Sequence, residues 1–183
     1  MKERQAERVF ALDEARFGLK VWHRRRWCPT GVRPPWAYED RYQWLWLYAA
    51  VEPLTGDSFF LFLPRLDGQC FQLFLEEFRS WYAQEEIVLV LDNSSSHRSG
   101  EVDWPEGLSG LPLPSYSPEL NPAEGVFKDL RGELANKVFE DVEALEQRLL
   151  ELVHRYWQEP ERLQRLTAYP WWVEGARNIR TLP

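Results

Sequence analysis

Asp92 closes the apolar run Ile87-Val88-Leu89-Val90-Leu91 and opens the polar stretch Asn93-Ser94-Ser95-Ser96-His97. Five consecutive β-branched or leucine residues read as a strand buried on both faces, and such strands present working side chains where they leave the sheet. A second acid, Glu124, ends the proline-punctuated segment Ser115-Tyr116-Ser117-Pro118-Glu119-Leu120-Asn121-Pro122-Ala123-Glu124, where a helix is expected to start. Upstream, Val9-Phe10-Ala11-Leu12-Asp13-Glu14 supplies a third acid on a first strand. Acids at strand ends and a helix start, far apart in sequence, are a donor set for divalent-metal phosphoryl transfer. A hard cation takes oxygen ligands from a few carboxylates and from substrate phosphate. Asn93, His97 and Asn121 stand beside these acids as candidate site support.

Each of these residues also has a plainer reading. Glu124 lies three residues after the cap candidate Asn121, the spacing of a capping box in which the acid accepts the cap residue's own N–H. Asp92 fits an Asx turn at a strand end. Asp13 has a neighbour, Glu14, that points to the opposite face of the strand. The alternation Val9, Ala11, Asp13, Ala15 sets the aspartate among small residues, as a crowded site requires. The run His23-Arg24-Arg25-Arg26 reads either as a solvated loop or as a nucleic-acid contact. Trp27 and Trp36, beside it, are of a type that stacks on exposed bases.

The elements that must position these groups follow from periodicity. Residues 9–17 and 19–22 read as a first strand or hairpin, followed by a loop over 29–35 broken by Gly31, Pro34 and Pro35. Residues 42–51 and 57–63 read as the next pair, joined by the turn Glu52-Pro53-Leu54-Thr55-Gly56. Over 69–84 the apolar positions Phe71, Phe74, Leu75, Phe78, Trp81 and Tyr82 have the spacing of a helix packed on a sheet. Strand 87–91 comes next, and the remainder is helical: 122–136 with Asn121 as N-cap and Pro122 at the first position, then 141–158, interrupted by Pro160. The aromatic end, with Tyr169, Trp171 and Trp172, is expected to dock on the body or on a partner. An antiparallel meander, a crossover helix, a parallel strand and then helices predict an α/β fold with a mixed central sheet flanked by helices, formed by residues 1–183 as a single domain.

Together, Leu12-Asp13-Glu14, Trp27-Cys28-Pro29-Thr30-Gly31, Leu91-Asp92-Asn93 with His97, and Tyr116-Ser117-Pro118-Glu119-Leu120-Asn121-Pro122-Ala123-Glu124 with Phe127 resemble the catalytic domain of the mariner superfamily of DDE transposases, in its bacterial insertion-sequence branch. The last motif is the most specific, and the resemblance covers most of positions 9 to 135. In two places the chain departs from the family pattern. Only 31 residues separate Asp92 from Glu124, fewer than is usual in the family, and Phe127 stands where tryptophan is common. The resemblance implies an RNase H-like fold with Asp13, Asp92 and Glu124 as catalytic and metal-binding triad, holding two Mg2+ ions, with Mn2+ as substitute. It implies DNA cleavage and strand transfer at transposon ends, with Asp13 bridging the ions. It also implies DNA contacts at Arg24, Arg25 and Arg26, and a homodimer in the DNA complex. About eight residues precede the first strand, so helix-turn-helix recognition modules are expected to be encoded separately. Two rivals remain at this stage: an inactive remnant that serves only in assembly, and an RNase H-like nuclease acting on RNA–DNA hybrids or branched DNA.

Composition bounds these expectations. A chain of 183 residues that is 44% apolar and 28% charged belongs with globular proteins rather than disordered tails. Its 22 basic and 29 acidic residues give a formal net charge of −7, which opposes DNA binding unless the basic groups cluster. They do so at 23–26, with Arg33 and Arg41 nearby. Cys28 and Cys70 lack zinc-ligand or disulfide-framework spacing, and no run approaches the ~20 apolar residues of a membrane span. A cytoplasmic protein with no membrane partner is expected.

Overall fold

Along β1 (Arg8–Gly18) the side chains of Val9, Ala11, Ala15 and Phe17 go to one side and those of Phe10 and Leu12 to the other, and all six are buried. The computed structural model describes residues 7–32, 35, 37–94 and 102–181. β2 (Trp44–Glu52) pairs antiparallel with β1, and β3 (Asp57–Leu63) antiparallel with β2. β4 (Ile87–Leu91) and β5 (Leu108–Pro112) extend the sheet in parallel on the other side of β1, in the order β3-β2-β1-β4-β5. The chain reaches β4 through α1 (Gly68–Trp81). This helix buries Phe71, Phe74, Leu75 and Phe78 on the sheet face that carries Phe10 and Leu12.

On the opposite face lie α2 (Ala123–Leu134), α3 (Val142–Gln158), α4 (Pro160–Thr167) and α5 (Pro170–Thr181). Their buried residues, from Val126 and Phe127 through Leu149 and Leu163 to Trp172 and Ala176, form one core with Val9, Ala11, Ala15 and Phe17. The aromatic end of the chain therefore docks on the body. Pro160 does not end the helical region but starts a new helix, where its missing N–H costs nothing.

The sequence reading and the structure differ at element edges, each for a local reason. No strand forms at 19–22: pairing ends when the Leu19 N–H donates to the Gln43 carbonyl. α1 stops at Trp81 rather than 84 because the Arg79 guanidinium turns back onto the carbonyls of Tyr82, Ala83 and Glu85. Its start is set by Asp67, whose carboxylate accepts from the Cys70 N–H at 2.8 Å. β5 was not anticipated, since Leu-Ser-Gly-Leu-Pro shows no alternation. Gly110 is required there by close approach, because a Cβ would lie 2.7 Å from the Trp104 ring.

At the start of β1 a charge cluster locks three strands together. Arg8 donates to Glu52 Oε2 at 2.5 and 3.0 Å, to Asp57 at 2.6 Å and to Glu85 at 3.1 Å. Its guanidinium packs against the Phe10 and Tyr82 rings, while the Glu52 side chain is 1% exposed. Removing one partner of such a pair strands a buried charge, which costs about 3–5 kcal/mol. Arg8→Ala should destabilise by that order in chemical denaturation, and adding Glu52→Leu should recover a large part of the loss. Equal stability of Arg8→Ala and wild type would show the cluster to be ornamental.

Candidate active site

β1 outruns β4. The parallel register ends at Ala11 opposite Val90, and carrying it on by two residues sets Asp13 level with Asp92. Asp13 shares the β1 face of Ala11 and Ala15, Asp92 follows the side taken by Val88 and Val90, and α2 packs on that same face. The acids thus arrive on one side of the sheet from the middle of β1, the end of β4 and the start of α2, so Asp13 does not stand at the strand end that the sequence suggests: β1 runs on to Gly18 against β2. Asp13, Asp92 and Glu124 line one cavity of about 420 Å3 together with Asn93, Ser94, Asn121 and the 113–118 loop.

Local hydrogen bonds hold Asp13, Asp92, Asn93 and Asn121. Asp92 Oδ1 accepts from the Ser94 N–H at 2.9 Å, the Asx turn expected of a strand-end acid, and this turn orients the carboxylate. Asn93 Nδ2 donates to the Leu113 carbonyl at 2.8 Å, tying the loop after β4 to the chain leaving β5. Asn121 is 4% exposed, and both ends of its amide are used. Nδ2 donates to the Leu12 carbonyl at 2.9 Å, and Oδ1 accepts from the Ala123 N–H at 3.1 Å. It caps α2 as expected, although the helix begins at Ala123 with Pro122 as its boundary residue. The capping-box reading of Glu124 fails, because the Asn121 N–H donates to the Pro118 carbonyl. Instead, Glu124 faces Arg131 two turns along, at 3.7 Å, and is 43% exposed.

Asp13 keeps some surface at the cavity wall, but burial leads in pushing its carboxyl up to about 8. The charges of Glu14, Glu124 and Asp92 add to the shift, against the Glu14 N–H that Oδ1 accepts at 2.9 Å. Burial and neighbouring like charge both disfavour the ionised carboxylate, and a nearby cation would favour it. The donors are all hard oxygens, which suits Mg2+ or Mn2+, and their mutual repulsion is what a cation would relieve. Among the described residues no group of three is drawn together tightly enough to cage an ion by itself. The acids line a wall on which substrate oxygens would complete the coordination.

The basic run is placed elsewhere. Asn136, at φ 61°, holds it to the end of α2 through bonds with the Trp22 carbonyl and both backbone groups of Arg24. The Arg24 guanidinium lies over Gly132, near the negative end of the helix dipole. None of Arg24, Arg25 and Arg26 lines the acid cavity. They sit toward the other end of α2 from Glu124, roughly 12 Å away at 1.5 Å per residue. His97, Arg33 and Trp36 lie outside the described residues. The sequence reading missed Tyr116, a fully exposed aromatic at the cavity rim held at φ 60°. A bulky residue with positive φ is strained, and no sequence pattern announces it.

Residues 8–146 match the family model described as DDE superfamily endonuclease. An uncharacterized protein of Sinorhizobium fredii (strain NBRC 101917 / NGR234), y4pE/y4sA, is 35% identical over 100 residues, covering 54% of this chain and 74% of that one. Among solved structures, the Mos1 transposase paired-end complex with left transposon end aligns with a TM-score of 0.64 at 19% identity, over 88% of this chain and 55% of that one. The Mos1 strand transfer complex gives 0.63 at 20% identity, over 88% and 54%. The likeness is one of fold, and it is RNase H-like. The chain spans about half the length of those Mos1 chains.

The raised Asp13 carboxyl makes metal-free stability depend on pH. Its folded form binds a proton more tightly than its unfolded form, so stability is fully present near the ordinary carboxylate range. It falls as pH rises toward about 8 and is flat beyond. In EDTA, thermal melts should show that decline between about pH 4 and 8, worth on the order of a few kcal/mol. Asp13→Asn should flatten it and be the more stable protein at pH 8. A parallel decline in the variant would assign the slope to other groups.

Proposed function

Because this chain belongs to the DDE superfamily endonucleases, we propose that it is the catalytic domain of a mariner-type transposase. It would cleave DNA phosphodiesters at transposon ends and join the freed 3′-hydroxyl to target DNA. The observation that carries the proposal is the meeting of Asp13, Asp92 and Glu124 on one cavity wall from three separate elements. These three are assigned as the metal-binding acids. When bound, a pair of Mg2+ or Mn2+ ions would supply positive charge to the attacking and leaving oxygens of the phosphodiester. Support comes from Mos1, which has been solved as a paired-end complex with Mn and as one with Mg.

The protein's own residues supply position. Asn121 keeps the strand bearing Asp13 and the helix bearing Glu124 at a fixed separation, the Ser94 amide orients Asp92, and Asn93 holds the loop that roofs the cavity. Preorganised carboxylates leave little to rearrange when substrate arrives. Phosphates beyond the reacting one fall to Arg24, Arg25 and Arg26, which fix register without reading sequence. A homodimer on paired DNA ends is part of the proposal. So is a helix-turn-helix region, joined or separately encoded, for end recognition. None of the described helices is long and apolar enough to cross a membrane.

With a net charge of −7, phosphate affinity should be low and steeply salt-dependent. At low salt with Mn2+, the chain should nick random and transposon-end duplexes alike and weakly, and Asp92→Asn should abolish nicking. Mn2+ should raise the melting temperature of wild type and not of Asp92→Asn. Metal-induced stabilisation without any nicking would favour an assembly remnant, whereas cleavage confined to RNA–DNA hybrids would make the enzyme a different nuclease.

A further inference from the structure

Beyond the end of β4 a second cavity, of about 480 Å3, opens between the last residues of β1, the segment after it and the start of β2. Its walls combine flat rings with cations and include no acid. Arg16 lies over the Trp44 ring at 5.2 Å, and Lys20 lies 5.9 Å from the centre of the Tyr42 ring. Neither cation has a carboxylate partner among the described residues. Arg41, by contrast, is fastened to Glu39 at 2.8 Å and to the Phe139 carbonyl at 2.8 Å, so it builds the wall rather than serving a ligand. Trp22, Trp44 and Tyr42 are 47%, 44% and 78% exposed. Trp44 and Tyr42 are thus large rings left in water, each beside a cation that no described carboxylate neutralises.

The geometry points to a binding pocket for one unpaired nucleotide of a DNA strand, its base against Trp44 and Trp22 and its phosphates at Arg16 and Lys20. This rests on the reading of the chain as a DNA-processing enzyme and adds a single-strand subsite beside the acids. The volume suits a ligand of nucleotide size, and stacking on aromatic faces with cations on the backbone is how single strands are held. Position supports it as well. Arg16 follows Asp13 by three residues, roughly 10 Å along a strand. From Asp13 onward β1 has no β4 partner, so a nucleic-acid strand can pass from the acid face to this pocket over an open edge. Trp22 is also the ring over which Arg131 lies at 5.3 Å, and Arg131 is the residue that faces Glu124.

Fluorescence titration in EDTA, where the acids hold no metal, tests the pocket apart from catalysis. Octathymidylate should bind and quench tryptophan emission, and an octamer of abasic phosphates should bind about tenfold or more weakly. Thymidine monophosphate at millimolar concentration should compete if the pocket takes one nucleotide. Arg16→Glu and Lys20→Glu should each weaken octathymidylate binding about tenfold and lower its salt dependence. Tyr42→Ala, at a site too exposed to threaten folding, should weaken it by a smaller factor. Equal binding of the abasic octamer would leave only a charged surface and overturn the pocket, as would charge-reversal variants that bind like wild type. Duplex nicking in Mn2+ without octathymidylate binding would overturn the pocket and leave the nuclease standing. Absence of both would remove both.

Discussion

One buried amide governs the spacing of the acids. Asn121 bonds the Leu12 carbonyl with its donor end and the Ala123 N–H with its acceptor end, so the residue before Asp13 and the residue before Glu124 hang from the same side chain. Ordinary helix packing tolerates sliding of an ångström or more, because ridges and grooves fix angles better than distances. A two-ended hydrogen bond inside a dry core does not tolerate it, since breaking either half leaves a buried polar group unmet. Glycine at 125 completes the fit: a Cβ there would fall 2.4 Å from the Leu166 carbonyl, so α2 is pressed between Asn121 below and α4 above.

β1 carries two opposite solutions to crowded charge. At its start, Arg8 pairs with three carboxylates through a guanidinium that the chain supplies, and the result is a fastening. Five residues on, Asp13 meets Glu14, Glu124 and Asp92 with no guanidinium of its own, and the carboxyl is driven to hold its proton. The contrast separates a structural cluster from one left open for something to arrive. Overall charge therefore says little about either site: three acids line the first cavity, while Arg16 and Lys20, without a carboxylate partner among the described residues, line the second.

Most of the sheet and the placement of the acids could be read in the sequence because they rest on period and punctuation. Two-residue alternation put Asp13 with Val9, Ala11 and Ala15, and the core contains those three on the face that α2 covers. The proline-rich motif marked the start of α2 to within one residue. What escaped depends on contacts between distant segments. β5 exists because β4 needs a parallel neighbour and Trp104 fills the space above Gly110, neither visible in five unpatterned residues. The seat of the arginine run at the far end of α2 follows from Asn136 in a left-handed conformation, which no local pattern demands. Trp44 and Arg16 sit 28 residues apart in sequence and meet only through antiparallel register.

The connection between β1 and β2 is held at both ends by a single short joint. Asn136 grips it at Trp22 and Arg24, and Arg41 grips the same joint at Phe139 and Glu140. Between those clasps the connection has both endpoints fixed. Lengthening such a loop costs only about 0.6 kcal/mol per doubling. Added length between these clasps therefore need not disturb the acids. The joint that anchors the loop is thus also what insulates the acid-lined wall from it.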